Sequence, residues 1–197
     1  MKIIVLGGDG FCGWPTSLRL AASGHEILII DNLSRRLIDD ELSSGSLTNI
    51  ATINERVSVA KKEIGNIDFE NIDIANNPLA LRKVIANFKP QAIIQFAEQR
   101  SAPYSMIGDN ERRYTINNNI SGTHNVCSAI VDIDRDIHLI HLGTMGVYGY
   151  SKDFGVIPEG YLEVNIPSTN KNVDILYPTN PGSIYHLTKS LDQIIFQ

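Results

Sequence analysis

The sequence predicts an α/β fold in which helices cover both faces of a doubly wound parallel sheet. Three observations support this fold class. A glycine-rich segment follows an apolar run at the N-terminus, apolar runs alternate with segments of helical periodicity, and polar residues follow several of those runs. Ligands of such sheets bind at the carboxyl ends of the strands, so these polar residues are the first candidates for a functional site.

The chain opens on a predicted strand that leads into a glycine-rich turn. Lys2 to Leu6 is almost wholly apolar, as is typical of a buried parallel strand, and Trp14 to Ser23 predicts the next helix. Between them, glycines recur at every third position, a spacing that lets backbone approach a pyrophosphate at a helix N-terminus. The residues expected to contact a dinucleotide are Gly7, Gly10, Phe11, Cys12 and Gly13, and the alternative is a purely structural turn.

A second predicted strand, Glu26 to Ile30, ends in Asp31, at about the 20-residue distance expected of a dinucleotide site. A carboxylate there accepts hydrogen bonds from ribose hydroxyls and repels a 2′-phosphate, which favours NAD over NADP. Arg35 and Arg36 favour the opposite choice, because arginines near this point bind that phosphate. We expect NAD, with Asn32 beside Asp31 and with Arg35 over the adenine or on the substrate.

The remaining elements follow the same alternation. A polar loop from Asn32 to about Ser46 is unusually long for a strand-to-helix connection. The other predicted strands are Val57–Val59, Ala92–Phe96 and Ile137–Leu142, and the other predicted helices are Leu79–Phe88 and about Asn110–Ile133.

Three residues in these later elements are further candidates for cofactor contacts. Asp73 and Ile74 fall where the third strand-to-helix connection would pass the adenine, although Asp73 would equally suit a helix N-cap. Asn119 lies among three successive asparagines in the long predicted helix, and asparagine is a poor helix former. We expect at least one of these amides to meet a loop or the cofactor.

A tyrosine and a lysine stand one helical turn apart near the end of the sequence. Tyr185 and Lys189 lie on one helix face, where an ammonium group lowers the pKa of a phenol from its usual value of about 10. Such a phenol can accept a proton from an alcohol while a hydride leaves the same carbon. Thr144, after the last predicted strand, could bond the same oxygen, although alone it is a common turn residue. We predict a catalytic group of these three residues, with Tyr185 and Lys189 also contacting NAD.

Composition excludes several classes of function. The 197 residues carry a net charge of −5 without a basic patch, which argues against a nucleic-acid partner. Apolar runs are too short to span a membrane, and a strand that begins at residue 2 predicts a cytoplasmic protein without a signal peptide. Cys12 and Cys127 offer neither metal-ligand spacing nor a disulfide, so no metal is predicted.

Together these motifs resemble the extended short-chain dehydrogenase/reductase superfamily, which contains nucleotide-sugar epimerases and dehydratases and has a Rossmann fold. The family's glycine pattern falls on Gly7, Gly10 and Gly13, and its acidic residue falls on Asp31. Its Asn-x-x-Gly-Thr motif falls on Asn119, Gly122 and Thr123, and its catalytic triad on Thr144, Tyr185 and Lys189. The resemblance runs along the whole sequence and implies an NAD-dependent enzyme.

Four segments resemble one family within that superfamily, the UDP-sulfoquinovose synthases. This resemblance implies UDP-glucose and sulfite as substrates and a 4-keto intermediate. Tyr185 would remove the O4 proton while the C4 hydride passes to NAD; loss of the C6 hydroxyl, sulfite addition at C6 and return of the hydride would follow. The segments are Gly10-Phe11-Cys12-Gly13-Trp14-Pro15, Asp31-Asn32-Leu33-Ser34-Arg35-Arg36, Phe96-Ala97-Glu98-Gln99-Arg100-Ser101-Ala102-Pro103-Tyr104-Ser105 and Tyr185-His186-Leu187.

Other members of the superfamily give the alternatives. In the 4,6-dehydratases an Asp-Glu pair follows the threonine, whereas Met145 and Gly146 stand there in this chain, so that activity is not expected. A UDP-glucose 4-epimerase needs no such pair and is the alternative, ahead of a non-catalytic NAD-binding sensor.

Two further residues could distinguish a synthase from an epimerase. Gln99 and Arg100 are assigned, with Thr144, to substrate binding, because a guanidinium group holds anions bidentately. The anion could be NAD phosphate, UDP or a sulfonate. His186 could shuttle the C5 or C6 proton as a further catalytic residue, or could have a packing role.

Residues 1–197 are predicted to form one dinucleotide-binding domain. The long polar segment of about 151–183 is expected to be a substrate-side loop or hairpin. Members of the superfamily continue into a substrate domain, so the sequence is expected to be a fragment that lacks it. The resemblance also implies a homodimer for the full-length protein.

Overall fold

A computed structural model of the chain describes residues 1–133, 136–149, 161–176 and 179–197. Its centre is a five-stranded parallel sheet in the order β3-β2-β1-β4-β5, which confirms the predicted Rossmann-like α/β fold. The strands are β1 (Lys2–Leu6), β2 (Glu26–Asp31), β3 (Ile67–Asn71), β4 (Ala92–Gln95) and β5 (His138–His141). The helices are α1 (Gly13–Ala22), α2 (Ser34–Glu41), α3 (Ile53–Glu63), α4 (Pro78–Phe88), α5 (Asp109–Ile133) and α6 (Ile184–Ile195).

Two apolar layers cover the two faces of the sheet. Ile4 and Leu6 of β1 point into the layer that contains α4 and α5, while Ile3 and Val5 point into the layer that contains α1 and α3. This alternation follows from the period of two along a strand and explains why β1 must be apolar at successive positions. The strand order reverses between β1 and β4, which is where ligands bind in sheets of this kind.

The predicted third strand is wrong. Val57–Val59 lies inside α3, which begins at a capping box: Thr52 accepts a hydrogen bond from the Glu55 amide, and the Glu55 side chain accepts one from the Thr52 amide. The buried residues Ile53, Val57 and Ala60 recur at helical spacing, whereas Val59 is 62% exposed. The valine-rich composition suggested a strand, but the cap and the helical spacing decide for a helix.

The loop predicted from Asn32 to Ser46 contains the short helix α2. Leu33 precedes the helix in the left-handed conformation with φ 59°, and the Asp31 side chain accepts a hydrogen bond from its amide at 2.8 Å. The turn thus depends on a side chain that the sequence had assigned to the cofactor. Helix α2 therefore begins three residues after the carboxyl end of β2.

The segment predicted as a substrate-side loop or hairpin contains an antiparallel hairpin. Its strands are β6 (Tyr161–Ile166) and β7 (Lys171–Leu176). Residues 151–160 and 177–178 of the predicted insertion lie outside the described residues. In the part of the chain that the structure describes, no helix is both long and apolar enough to cross a membrane.

Candidate functional site

The glycine turn after β1 is packed so closely that side chains would not fit. A Cβ on Gly13 would lie 2.1 Å from the Gly7 carbonyl oxygen, and one on Gly10 would lie 3.2 Å from the same atom. Gly7 itself has φ +79° and sits against the Phe96 backbone. The turn ends where the Gly10 carbonyl accepts a hydrogen bond from the Trp14 amide within the first turn of α1. This geometry leaves the helix N-terminus open to a ligand.

A cavity of about 450 Å³ runs from the glycine turn to the loop after β4. Its size is within the range usual for small-molecule sites. The cavity brings together most of the sequence-predicted cofactor and substrate residues. They are Gly7, Gly10, Phe11, Cys12, Gly13, Asp31, Asn32, Arg35, Ile74, Gln99 and Arg100.

Asp31 lines this cavity, and both oxygens of its carboxylate accept hydrogen bonds from the backbone. Its Oδ2 accepts a hydrogen bond from the Asp9 amide at 2.9 Å, and its Oδ1 accepts the Leu33 amide. Burial raises the pKa of Asp31 from its ordinary value, while these two amides and the charge of Arg36 act in the opposite direction. The backbone bonds fix the carboxylate at the end of β2.

Asp9 organises the neighbourhood of Asp31, and the sequence analysis missed it. Its side chain is 4% exposed and forms ion pairs with Arg36 Nε at 2.8 Å and with Arg56. The Arg56 guanidinium in turn lies 4.5 Å over the Trp14 ring. The only sequence signal was an acidic residue within a glycine turn, and Arg56 is too distant in sequence to have been paired with it.

Arg35 and Arg100 place two guanidinium groups against one cavity. Burial lowers the pKa of Arg35, and the charge of Arg100 lowers it further. Asp39 lies 3.5 Å from Arg35 Nε, a distance too long for a good hydrogen bond, and that buried nitrogen has no hydrogen-bond partner within the described residues. Two adjacent cations with one carboxylate partner suit an anionic ligand.

Asp73 and Asn119 bond to protein groups. Asp73 Oδ1 accepts hydrogen bonds from the Ala75 and Asn76 amides, and its Oδ2 accepts one from Asn32. It therefore shapes the turn before α4, whose N-cap is Asn77. Asn119 is fully buried in α5, and its side chain bonds the Gln99 backbone in both directions. The asparagines were expected to meet either a loop or the cofactor, and Asn119 contacts the loop after β4.

Gln99 is held by the protein as well as lining the cavity. Its side-chain Nε2 donates to Thr115 Oγ1 at 2.9 Å and to the Ser101 carbonyl at 3.0 Å, and the residue is 8% exposed. Together with Asn119 these bonds fix the loop after β4. Arg100, the next residue in the chain, is exposed and follows the residue that these hydrogen bonds hold in place.

Helix α6 carries the tyrosine and the lysine. Its N-cap is Ser183, whose Oγ accepts a hydrogen bond from the His186 amide and lies 2.9 Å from His186 Nδ1. The Tyr185 amide donates to Ser105 of the loop after β4 at 3.1 Å. Helix α6 is therefore tied to the loop that presents Arg100.

His186 packs against the segment that contains Thr144. A Cβ on Gly146 would lie 2.3 Å from His186 Nε2, so the imidazole fills the place where a side chain at 146 would start. Thr144 Oγ1 accepts the Gly146 amide at 3.2 Å as the cap of a short 3-10 turn. Burial lowers the pKa of His186.

Lys189 is bonded to three side chains that the sequence analysis did not assign to the site. Its Nζ lies 2.6 Å from Glu98 Oε2, 2.8 Å from His141 Nε2 and 3.2 Å from Asp192 Oδ2. The signals were present but weak: Glu98 follows β4, His141 ends β5, and Asp192 lies three residues after Lys189 on α6. We refer to Glu98, His141, Lys189 and Asp192 as the lysine cluster.

The catalytic candidates are not part of the cavity wall. Thr144, Tyr185, His186 and Lys189 do not line it, whereas Glu98 does. The structure therefore brings most of the predicted cofactor residues together around one cavity, whereas four others, Asp73, Asn119, Tyr185 and Lys189, do not line it. Glu98 lines the cavity and also contacts Lys189.

Comparison with known proteins places the chain in a family. Residues 3–191 match the NAD dependent epimerase/dehydratase family. The chain is 44% identical to UDP-sulfoquinovose synthase of Sulfolobus acidocaldarius over 98% of its length, and 41% identical to the chloroplastic UDP-sulfoquinovose synthase of Spinacia oleracea over 97%. The chain covers 48% of the first relative and 39% of the second, so it spans half or less of the length of these curated relatives.

Solved structures show the same fold. A UDP-Glc/GlcNAc 4-epimerase from Campylobacter jejuni aligns with a TM-score of 0.70 at 20% identity, over 98% of this chain and 47% of that one. A UDP-glucose 4-epimerase from Brucella ovis in complex with NAD aligns with a TM-score of 0.65 at 22% identity, over 98% and 46%. The match of the family model over almost the whole chain establishes that this protein belongs to the NAD dependent epimerase/dehydratase family.

Proposed function

We propose that the protein binds NAD and, as part of a full-length enzyme, converts UDP-glucose and sulfite to UDP-sulfoquinovose. Identity of 41–44% to two UDP-sulfoquinovose synthases carries the choice of reaction, against 27–31% to the epimerases compared. UDP-glucose 4-epimerase activity is the second candidate, because it would use the same threonine, tyrosine and lysine.

The residues around the cavity fit a dinucleotide. The glycine turn offers backbone at a helix N-terminus for a pyrophosphate, and Asp31 is fixed where ribose hydroxyls would be read. Arg35, whose Nε has no hydrogen-bond partner within the described residues, and Arg100 would bind negative charge on the NAD phosphates, UDP or the sulfonate. NAD, when bound, would supply a hydride acceptor that returns the hydride at the end of the cycle.

The chain's own residues would perform the proton transfers. Tyr185 would accept the O4 proton of the sugar, with the Lys189 ammonium favouring the phenolate and Thr144 Oγ1 holding the same oxygen. Oxidation at C4 makes the C5 proton acidic, and loss of the C6 hydroxyl then exposes C6 to sulfite. His186 would move the C5 or C6 proton: its ring occupies the space over Gly146, the position that holds a glutamate in the 4,6-dehydratases.

Two assignments belong to the full-length protein. We propose that it forms a homodimer through α5 and α6, as the family resemblance implies, and that it acts in the cytoplasm. The hairpin β6–β7 would lie on the substrate side.

The reaction is tested by product analysis. The longest natural polypeptide that contains this sequence is incubated with UDP-glucose, with and without sulfite, and its nucleotide sugars are identified by mass spectrometry and chromatography. We expect a sulfonated UDP-hexose that requires sulfite. Formation of UDP-galactose at a rate indifferent to sulfite would instead establish the epimerase.

Neutralising Asp9 is expected to relax the choice of dinucleotide. Asp9→Asn releases Arg36 and Arg56 from their shared carboxylate, and a freed guanidinium can bind a 2′-phosphate with about 1.5–3 kcal/mol. The ratio of the NADP and NAD dissociation constants should therefore fall roughly tenfold or more, as measured by isothermal titration calorimetry.

The matched control for Asp9→Asn is Asp40→Asn. Asp40 is exposed on the same helix as Arg36, and its replacement changes the net charge equally. An unchanged ratio in Asp9→Asn, or an equal change in both variants, would contradict a specific role for Asp9.

A further inference from the structure

The Lys189 ammonium group is enclosed by acidic and imidazole side chains. Within the lysine cluster, Lys189 and Asp192 side chains are 3% and 1% exposed, and Glu98 is 7% exposed. The shortest contact joins Lys189 Nζ to Glu98 Oε2 at 2.6 Å. A charge-assisted bond of this length in a buried setting is strong, so it fixes where the lysine points.

Glu98 stands between this ammonium group and the cavity. Glu98 lines the cavity, and Lys189 does not. If Lys189 is to contact a dinucleotide in the cavity, as the proposed function requires, its ammonium group must give up one of its three contacts, and Glu98 is the one of those partners that lines the cavity. That carboxylate then remains buried without the cation.

Each packed element contributes a group that faces Glu98 or its neighbours. Helix α6 contributes Lys189 and Asp192, strand β5 contributes His141, and α5 contributes the Thr123 hydroxyl, 3.4 Å from Glu98 Oε1. Cys127 of α5 faces Asp192. Once the ammonium group leaves, the charge of Asp192 opposes a second carboxylate in the same small space.

We propose that Glu98 is a positioning residue that exchanges the Lys189 ammonium group for a proton when NAD binds. In this exchange Lys189 keeps its charge and turns toward the cavity, and the Glu98 carboxylate takes up one proton from solvent. The exchange keeps the buried site from carrying two carboxylates without the Lys189 ammonium group between them. It also couples binding of the cofactor to pH.

The sign of the coupling follows from proton uptake. Burial raises the pKa of Glu98 to about 7 even with Lys189 beside it, and loss of the Lys189 charge raises it further. Below about pH 7 Glu98 is already protonated before NAD binds, so NAD binding takes up only a small fraction of a proton. Above that value uptake approaches one proton, and NAD affinity falls by up to tenfold per pH unit.

Calorimetry measures the uptake directly. NAD is titrated into the 197-residue chain in HEPES and in Tris, whose ionisation enthalpies differ, so the buffer dependence of the binding enthalpy gives the protons bound. At one pH unit above the pKa of Glu98 we expect an uptake of about nine-tenths of a proton per NAD bound, and at one unit below that pKa about one-tenth. Glu98→Gln should abolish the uptake, and Glu98→Asp should retain it.

The controls separate this inference from the proposed function. Glu63→Gln, an exposed replacement at the end of α3, should leave the uptake unchanged. NAD binding with no proton uptake in the wild type, or with equal uptake in Glu98→Gln, overturns the exchange and leaves NAD binding intact. A chain that is folded by circular dichroism but binds no NAD at any pH overturns the proposed function, and the exchange with it.

Discussion

Gly13→Ala is expected to weaken NAD binding by on the order of a hundredfold or more. The new Cβ would lie 2.1 Å from the Gly7 carbonyl oxygen, so the turn after β1 must open and its amides must move away from the pyrophosphate. Each charge-assisted hydrogen bond lost costs about 1.5–3 kcal/mol, which is roughly a factor of ten to a hundred in the dissociation constant. Isothermal titration calorimetry with NAD measures the loss.

A graded series of glycine variants gives this prediction its control. Gly10→Ala should have a smaller effect, because its Cβ would be 3.2 Å from the same oxygen, and Gly45→Ala should have none, because no atom lies within 4 Å of its Cβ. Circular dichroism melting curves show whether each variant folds. Wild-type affinity in a folded Gly13→Ala variant would contradict the assignment of this turn to the cofactor.

Tyr185→Phe is expected to lower turnover of UDP-glucose by about 10²–10⁴-fold, the usual contribution of a positioned general acid or base. The ring and the Tyr185 amide bond to Ser105 are retained, so NAD affinity should change only a few-fold. Product analysis on the full-length enzyme measures the loss, with NAD titration as the check on binding.

His186→Ala is the matched variant for Tyr185→Phe. It should spare NAD binding and abolish formation of the sulfonated sugar, because in the proposed mechanism oxidation at C4 would depend on Tyr185 and the later proton transfer on His186. Near wild-type sulfonation in His186→Ala would show that the imidazole has a structural role, in contact with Gly146 and Ser183. Near wild-type turnover in Tyr185→Phe would remove the tyrosine from the mechanism.

Local signals sufficed where a residue's role is set by its immediate neighbours in the chain. The glycine turn was predictable because its spacing reflects a steric limit within seven residues, and Asp31 because it ends an apolar strand at a regular distance. The third strand was mispredicted for the opposite reason. Val57 to Val59 suits a strand by composition, and only the capping box at Thr52 and the burial of one helix face identify α3.

The sequence by itself determined the fold class, the glycine turn, Asp31 and the spacing of Tyr185 and Lys189. Steric and hydrogen-bond requirements between residues that are near one another in the chain impose these features, so they can be recognised from the sequence alone. Tertiary structure alone decided that Asp9 holds Arg36 and Arg56, and that Glu98, His141 and Asp192 surround Lys189. Buried charges must find partners across the fold, and the chain reveals those partners only once parallel strands bring their carboxyl ends together at one edge of the sheet.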